Sequence, residues 1–229
     1  MKNYTKPRVI LFDVNETLLD LGPLKASINK LLDNDQGFKI WFGMLLQHSL
    51  VDTCINEYHD FTLIAGGTLS MAAKALNRDI DETEKKEALS FIRQLDAYPD
   101  VPQGLQLLKD AGFRLATLTN SPLPTLLAQL EYAGIQHYFE KMLSIDVVKK
   151  YKPAIETYEY AAQKIEVAAN EIIMVAAHGW DIAGALNAGL QAAFVERKGQ
   201  SLYPLSPLPQ YIGRDMVAIA NAIIKSLCV

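Results

Sequence analysis

The 229-residue sequence has little that would place the protein outside the cell or at a membrane. Its two cysteines, Cys54 and Cys228, lie far apart and fit no metal-binding spacing, so we expect unpaired thiols in a reducing compartment. Residues 1–8 lack the apolar stretch of a secretory signal, and no run of about eighteen apolar residues occurs. We therefore expect a soluble cytoplasmic protein that does not associate with a membrane.

A strong charge of either sign is also lacking. The 22 lysines and arginines nearly balance the 26 aspartates and glutamates, and the formal net charge is −4. Because a surface for nucleic acid or anionic lipid needs concentrated positive charge, we expect neither partner. Half of the residues are hydrophobic. That content is enough for one large domain, or for a core with one insertion.

What the sequence does contain is an alternation of short β-rich runs and helical patterns. The runs are almost continuously apolar, which is typical of strands covered on both faces. They lie at Arg8–Phe12, Arg114–Leu118, Lys141–Ile145, Ile172–Ala176 and Gln191–Val195. Several of the intervening helical patterns end at a glycine, as helices often do. This order predicts an α/β fold, a Rossmann-like doubly wound parallel sheet with helices on both faces.

Residues 21–98 interrupt this alternation and show helical patterns only. The four patterns are LKASINKLLD from Leu24, GFKIWFGMLLQHSLVDT from Gly37, TLSMAAKALN from Thr68 and ETEKKEALSFIRQL from Glu82. They lie between the first and second predicted strands. We therefore expect a helical cap domain, residues 21–98, inserted into an α/β core of residues 1–20 and 99–229. A cap at this place would cover the sheet edge where ligands bind in open α/β folds.

Polar residues lie next to the predicted strands at four places. Asp13 follows the first strand, and Thr119–Ser121 follow the second. Lys152 precedes a helix, and Ala176–Asp181 end the fourth strand and lead into another helix. Because parallel strands end at one edge of a sheet, the four segments are expected to converge in one crevice. Taken singly, Asp13 could cap a helix and Lys152 could be a surface lysine.

In this order the motifs resemble those of the haloacid dehalogenase superfamily, and within it the L-2-haloacid dehalogenase branch. The likeness runs from Val9 to about Val195 and includes the placement of the cap. It implies that Asp13 is a nucleophile, that Lys152 neutralises it and that Asp181 orients the lysine. The chemistry is sound, because a carboxylate can form a covalent ester that divides a difficult displacement into two steps.

The resemblance also implies a substrate and its contacts. Thr17 would support the turn after the nucleophile, and Thr119 and Asn120 would hydrogen-bond the reacting group. The implied reaction is hydrolytic dehalogenation of small 2-haloacids with inversion at the halogen-bearing carbon. It requires no metal and no organic cofactor. A homodimer is what the family implies.

Two departures argue against the magnesium phosphatases that make up most of this superfamily. Those enzymes carry a second aspartate two residues after the nucleophile as a general acid and base. Asn15 stands there, and its amide cannot exchange protons in that role. They also hold the metal with an aspartate in the last motif, where this chain has Ala176–Ala177. A phosphatase acting on a small phosphate ester, and a non-catalytic family member, remain as alternatives.

The chain also departs from the dehalogenase pattern around the substrate. The family arginine that follows a cap tryptophan is replaced by Phe42, and the family tyrosine two residues after the nucleophile is replaced by Asn15. Phe42 and Trp180 could line an apolar pocket for the halogen, or Phe42 could simply pack the cap against the core. How the substrate carboxylate is held is therefore open.

His178 is the informative replacement, because the family has an asparagine there. A histidine can deprotonate water near neutral pH, and a neighbouring carboxylate can stabilise the resulting imidazolium. Glu16, three residues after Asp13, is the candidate partner. We therefore expect a His178–Glu16 pair that activates water against an ester on Asp13. The alternative is that Glu16 only caps a turn while His178 bonds loop carbonyls.

Overall fold

The computed structural model describes residues 5–227, so Cys228 lies outside the described part of the chain. Within that part, six parallel strands form one sheet in the order β3-β2-β1-β4-β5-β6. They are β1 (Val9–Phe12), β2 (Arg114–Thr119), β3 (Lys141–Ser144), β4 (Ile172–Ala176), β5 (Gln191–Val195) and β6 (Tyr211–Gly213). The chain winds outward from β1 in one direction and then, from β4, in the other. The predicted doubly wound sheet is confirmed.

The central strands form because every position in them can be buried. All residues of β1, β4 and β5 are buried, as expected for strands that are covered on both faces. Phe12, the last residue of β1, pairs with Thr117 of β2 and Val175 of β4. The carboxyl ends of these three strands are therefore level, and the loops that follow them meet.

Helices cover both faces of the sheet and form the insertion. The core contains α5 (Val101–Asp110), α6 (Leu123–Tyr132), α7 (Ile155–Ile165), α8 (Gly179–Asn187) and α9 (Met216–Ser226). The insertion between β1 and α5 contains α1 (Gly22–Leu31), α2 (Gly37–Ile55), α3 (Phe61–Ala75) and α4 (Glu82–Ser90). No helix within residues 5–227 is both long and apolar enough to span a bilayer.

Helix α4 ends at Ser90 although its predicted pattern continued to Leu95, and a 3-10 turn follows at Phe91–Arg93. The other large departure from the predicted cap patterns is at the start of α3. The helix begins at Phe61 instead of Thr68, because the Asp60 side chain caps it by accepting bonds from the amides of Thr62 and Leu63. Two consecutive glycines, which are poor helix formers, obscured this first part in the sequence pattern. The domain boundaries at residues 21 and 98 stay a prediction.

Two aromatic residues join the cap to the core close to the crevice. The hydroxyl of Tyr151 donates to the carbonyl of His59 at 2.5 Å, and the Tyr151 amide donates to Thr53 Oγ1 at 3.0 Å. Tyr58 stacks on Tyr151 and donates its hydroxyl to Asp146. The cap is thus closed over the sheet edge, and Tyr151, which makes these contacts, directly precedes Lys152 in the chain.

Two elements after Val195 have no counterpart in the sequence prediction. They are β6 and α9, and the signal for α9 was present, since Asp215 precedes an apolar run and accepts from the Ala218 amide as an N-cap. Helix α9 packs closely on α5. A Cβ atom at Gly104 would lie 2.5 Å from Met216 Cγ, so only glycine fits at this crossing.

Candidate active site

Asp13 is the first residue beyond β1, and the sheet still holds its backbone. Its amide donates to the Val175 carbonyl at 3.0 Å, which extends the β1–β4 pairing by one residue. The Thr17 hydroxyl donates to Asp13 Oδ2 at 2.7 Å and accepts a bond from the Ala177 amide at 2.9 Å. The carboxylate is buried, and the loops after two neighbouring strands position it.

Lys152 lies between two carboxylates at the sheet edge. Its Nζ donates to Asp13 Oδ1 at 2.9 Å, to Asp181 Oδ2 at 2.6 Å and to the Leu118 carbonyl at 3.0 Å. Tyr158, the tyrosine that faces Asp181 from α7, donates its hydroxyl to Asp181 Oδ1 at 2.6 Å. All three donors of the ammonium are used, so the buried charge is fully bonded.

His178 joins the nucleophile candidate to Glu16. Its Nδ1 lies 3.0 Å from Asp13 Oδ2, and its Nε2 lies 2.9 Å from Glu16 Oε2. Trp180 stacks on the imidazole, with ring centroids 5.0 Å apart. His178 and Glu16, which were expected from the sequence to form a pair, are therefore in direct contact.

The protonation state of His178 follows from its partners. An ionised carboxylate only accepts hydrogen bonds, so an imidazole between two carboxylates must donate from both nitrogens, and only the imidazolium can do so. Burial alone would lower the pKa of His178, but the bonds to Asp13 and Glu16 outweigh it and raise the pKa to about 9. His178 is therefore a cation at neutral pH while Asp13 is ionised.

The same contacts set the ionisation of the two aspartates. Burial acts to raise the pKa of Asp13, yet Lys152 and His178 together hold it well below its ordinary value. Burial raises the pKa of Asp181, with Lys152 opposing and the Asp13 charge adding to the increase. Burial would lower the pKa of Lys152, but the two carboxylates raise it. Asp13 is thus held as a carboxylate.

Glu16 has an uncommon backbone conformation, and residues that were not predicted from the sequence support its side chain and its loop. Its φ is 59°, in the left-handed region that costs a non-glycine residue about 1 kcal/mol. Gln200 Nε2 donates to Glu16 Oε2 at 3.0 Å, beside the His178 contact. Arg197 donates to the Thr17 carbonyl at 3.0 Å and to Asp100 Oδ1 at 2.9 Å. Both residues lie after Val195, where no functional motif was visible in the sequence.

A small cavity of about 20 Å³ opens on Asp13, enough for about one water molecule. It includes every predicted substrate contact, whereas Glu16 and Asp181 lie behind the residues that face it. Its lining is Asp13, Asn15, Phe42, Leu46, Phe61, Thr119, Asn120, Lys152, His178 and Trp180. One wall carries the charges, and the facing wall from the cap is apolar.

The loop after β1 also presents free amide groups beside Asp13. Within residues 5–227, the N–H groups of Val14 and Asn15 have no hydrogen-bond acceptor. Two hydrogen bonds fix the Asn15 side chain: its Nδ2 donates to Ser121 Oγ at 3.2 Å, and its Oδ1 accepts from Gln129 Nε2 at 3.0 Å. Asn120 accepts from the Lys152 amide at 3.0 Å, so its own NH₂ group stays available.

The chain matches known proteins over most of its length. A family model described as haloacid dehalogenase-like hydrolase matches residues 7–189, most of the chain. The chain belongs to that family. The (S)-2-haloacid dehalogenase 4A of Burkholderia cepacia is 27% identical over 208 residues, covering 90% of each chain. A phosphoglycolate phosphatase of Colwellia psychrerythraea is 30% identical over 194 residues, covering 80% of this chain and 82% of its own.

A solved structure supports the fold and the cap. An L-2-haloacid dehalogenase is 25% identical, has a TM-score of 0.90, and is matched over 96% of this chain and 99% of its own. This likeness covers both the sheet and the inserted helices. The α/β fold with a cap is therefore the haloacid dehalogenase fold.

The charged groups of this site do not balance, and the cap arginine of the family pattern is absent. The carboxylates of Asp13, Glu16 and Asp181 face two cations, Lys152 and protonated His178. One negative charge is left over, and Phe42 supplies none of the compensation that an arginine would. Any anionic substrate must therefore be held mainly by neutral donors.

The residues present do not fit the magnesium site of family phosphatases. Magnesium requires several oxygen ligands in near-octahedral geometry. Both oxygens of Asp13 and both of Asp181 are already bonded to protein donors, and Ala177 offers no side-chain oxygen. Within residues 5–227, no group of three or more acidic, histidine or cysteine side chains is arranged around a common metal position.

Proposed function

We propose that this protein hydrolyses the carbon–halogen bond of small 2-haloacids, such as haloacetate and L-2-halopropionate, through an ester on Asp13. The observation that carries the proposal is the ionised, buried Asp13 carboxylate between Lys152 and His178, facing an apolar cap wall. Burial keeps water away from the nucleophile, and the two cations keep it deprotonated. The family and its dehalogenase members support the same chemistry.

In the first step, a carboxylate oxygen of Asp13 attacks the halogen-bearing carbon. A carbon–oxygen bond forms as the carbon–halogen bond breaks, and the halide leaves with the bonding electrons. Phe42, Leu46 and Trp180 surround the departing halide with apolar atoms. A single displacement at this carbon inverts its configuration, because water later attacks the ester carbonyl and not the chiral centre.

Ester formation removes the negative charge that kept His178 protonated. The bond to Asp13 is one of the contacts that raise the pKa of His178, so the pKa falls when the carboxylate becomes a neutral ester. The Nδ1 proton then leaves to solvent, and with the halide it makes up the HX that hydrolysis releases. His178 therefore becomes a neutral base once the ester has formed, which is when water must be deprotonated.

In the second step, neutral His178 takes a proton from water and the hydroxide adds to the ester carbonyl carbon. Glu16 stabilises the imidazolium and holds its orientation. When the tetrahedral intermediate collapses, the alkoxide takes the proton from His178 and leaves as the 2-hydroxyacid. The new carboxyl group of Asp13 returns its proton to His178, which restores the initial ion pair.

Neutral donors hold the substrate carboxylate in this proposal. The available donors at the cavity are the free N–H group of Asn15, the Thr119 hydroxyl and the Asn120 amide. They replace the missing cap arginine without adding positive charge. Weak binding of small haloacids is the expected consequence.

A phosphatase is the second candidate, because a 30% identical relative carries that name. Asn15 speaks against it, since an amide cannot protonate the leaving oxygen. The deciding experiment measures halide release from bromoacetate and 2-bromopropionate with a chelator, and phosphate release from a generic phosphate ester with magnesium. Halide release that is lost in Asp13→Asn supports the proposal, and phosphate release alone overturns it. A homodimer and a cytoplasmic location stay predictions.

A further inference from the structure

A second cavity lies between the cap and the core, beside the one over Asp13. Its volume is about 60 Å³. Most of its wall is aliphatic or aromatic, including Leu24, Leu45, Ala65 and Ile92. A cavity whose wall is mostly apolar favours an apolar occupant. The cavity lies on the boundary between cap and core, because residues of both domains line it.

Three side chains line both cavities: Asn15, Phe42 and Phe61. Asn15 is two residues from Asp13, and Ser121 and Gln129 fix its amide in place. Phe42 stands where the family pattern has the cap arginine. A substituent on a carbon held over Asp13 would pass between these side chains to reach the second cavity.

We propose that this second cavity is a subsite for the alkyl substituent of the substrate, which makes longer 2-haloalkanoates better substrates than haloacetate. The inference rests on the proposed function. An engineered cavity of about 150 Å³ in another protein holds benzene, which corresponds to about 25 Å³ per carbon. By that measure the cavity of about 60 Å³ takes two or three carbons, an ethyl or propyl group.

The charge balance of the site favours the same assignment. The carboxylates exceed the cations by one, so attraction for the substrate carboxylate is weak. Burial of an alkyl group therefore has to supply much of the binding. Each methylene that enters the cavity is expected to raise kcat/KM about fourfold, the factor that corresponds to about 0.8 kcal/mol.

Ala65 on α3 is the residue through which the cavity can be tested. Its side chain is buried in the wall, and its carbonyl bond to Trp41 does not involve the side chain. Ala65→Leu fills the cavity. Ala65→Val fills part of it and is the variant to use if Ala65→Leu does not fold. Ala75→Leu makes the same change at an exposed position on the same helix and is the matched control.

The experiment measures halide release from 2-bromo acids whose substituents are methyl, ethyl, propyl and pentyl. In the wild type and in Ala75→Leu, kcat/KM should rise to the propyl compound and fall for pentyl. In Ala65→Leu, kcat/KM should fall at least tenfold for the propyl compound and less than about threefold for the methyl compound. Ala65→Val should lie between them. The subsite would be overturned if kcat/KM in the wild type did not change with substituent length, or if Ala65→Leu lowered kcat/KM equally for every substrate.

A binding measurement separates this inference from the proposed function. Pentanoate, which cannot react, should raise the Tm of the wild type and of Ala75→Leu more than acetate does, and should lose that advantage in Ala65→Leu. Failure of bromoacetate and 2-bromopropionate to release halide would defeat the proposed function alone. Equal shifts by pentanoate and acetate would defeat the subsite, whatever the halide assay shows.

Discussion

His178 Nδ1 lies 3.0 Å from Asp13 Oδ2, so the residue expected to activate water is bonded to the nucleophile itself. The sequence-based hypothesis had His178 acting as a base through its ordinary pKa near neutrality. In the structure its pKa is about 9, and it is a cation in the resting site. The contact therefore separates the two steps in time, because the base becomes available only when the nucleophile has been consumed.

Replacing His178 with Gln should stop the reaction at the ester. The nucleophile and Lys152 remain, so the first displacement proceeds, whereas no base deprotonates water. We expect kcat to fall by about 10²- to 10⁴-fold. Intact-protein mass spectrometry after bromoacetate should show a stable carboxymethyl adduct on Asp13. His137→Gln, the same change at an exposed histidine, should turn over normally and carry no adduct. Normal turnover by His178→Gln would refute the base assignment.

The oxygen of the product should come from Asp13 and not directly from water. In a single turnover in H₂¹⁸O with enzyme in excess, the label should appear in the Asp13 carboxylate while the 2-hydroxyacid stays unlabelled. Peptide mass spectrometry of residues around Asp13 measures this directly. Asp13→Asn should release no halide. Label in the hydroxyacid after one turnover would show that water attacks the substrate carbon, which excludes the ester.

Stability should decrease at alkaline pH because of His178. Its folded pKa of about 9 is above the ordinary 6.5, so its ion pairs contribute fully below about pH 6.5 and are lost as the pH rises through 9. The contribution is at most about 3 kcal/mol. The Tm of the wild type should therefore fall between pH 7 and pH 10 more steeply than that of His178→Asn. Parallel curves for the two proteins would contradict the buried imidazolium.

An arginine at position 42 should improve the binding of the smallest haloacid. Phe42→Arg places a cation at a cavity whose charged groups leave one negative charge uncompensated. We expect the KM for bromoacetate to fall about tenfold, with the effect weakened by salt. Phe42→Leu, which adds no charge, is the control and should not lower KM. An unchanged KM in Phe42→Arg would mean that the neutral donors already satisfy the carboxylate.

Removal of the Arg197 side chain should destabilise the protein. The guanidinium is 8% exposed, bonds Asp100 and the Thr17 carbonyl, and lies 4.0 Å over the Tyr98 ring. Arg197→Ala leaves Asp100 without its cationic partner, with only the Met216 amide still donating to it, and we expect a loss of about 3 kcal/mol in the free energy of unfolding. Urea denaturation measures it. Arg214→Ala removes an exposed pair and should change stability by less than about 0.5 kcal/mol.

The layered fold and the residues at the strand ends could be predicted from the amino-acid sequence. Short apolar runs such as Val9–Phe12, alternating with helical patterns, are typical of strands covered on both faces, and parallel strands bring the residues after them to one edge. That reasoning reached Asp13, Lys152 and Asp181 because local pattern and topology agree there. The early start of α3 was missed because Gly66–Gly67 weaken the local pattern while the cap at Asp60 and burial in the cap decide the helix.

The electrostatics and the shape of the site depend on tertiary packing and could not be predicted from the sequence. The protonation of His178 depends on two carboxylates meeting one ring, a distance relationship that no spacing in the chain encodes. The support of Glu16 by Gln200 joins residues 184 positions apart. The second cavity exists because cap and core leave space between them, and such space is a property of packing. Sequence patterns describe which residues are buried, whereas the volume left between them is set only when the elements meet.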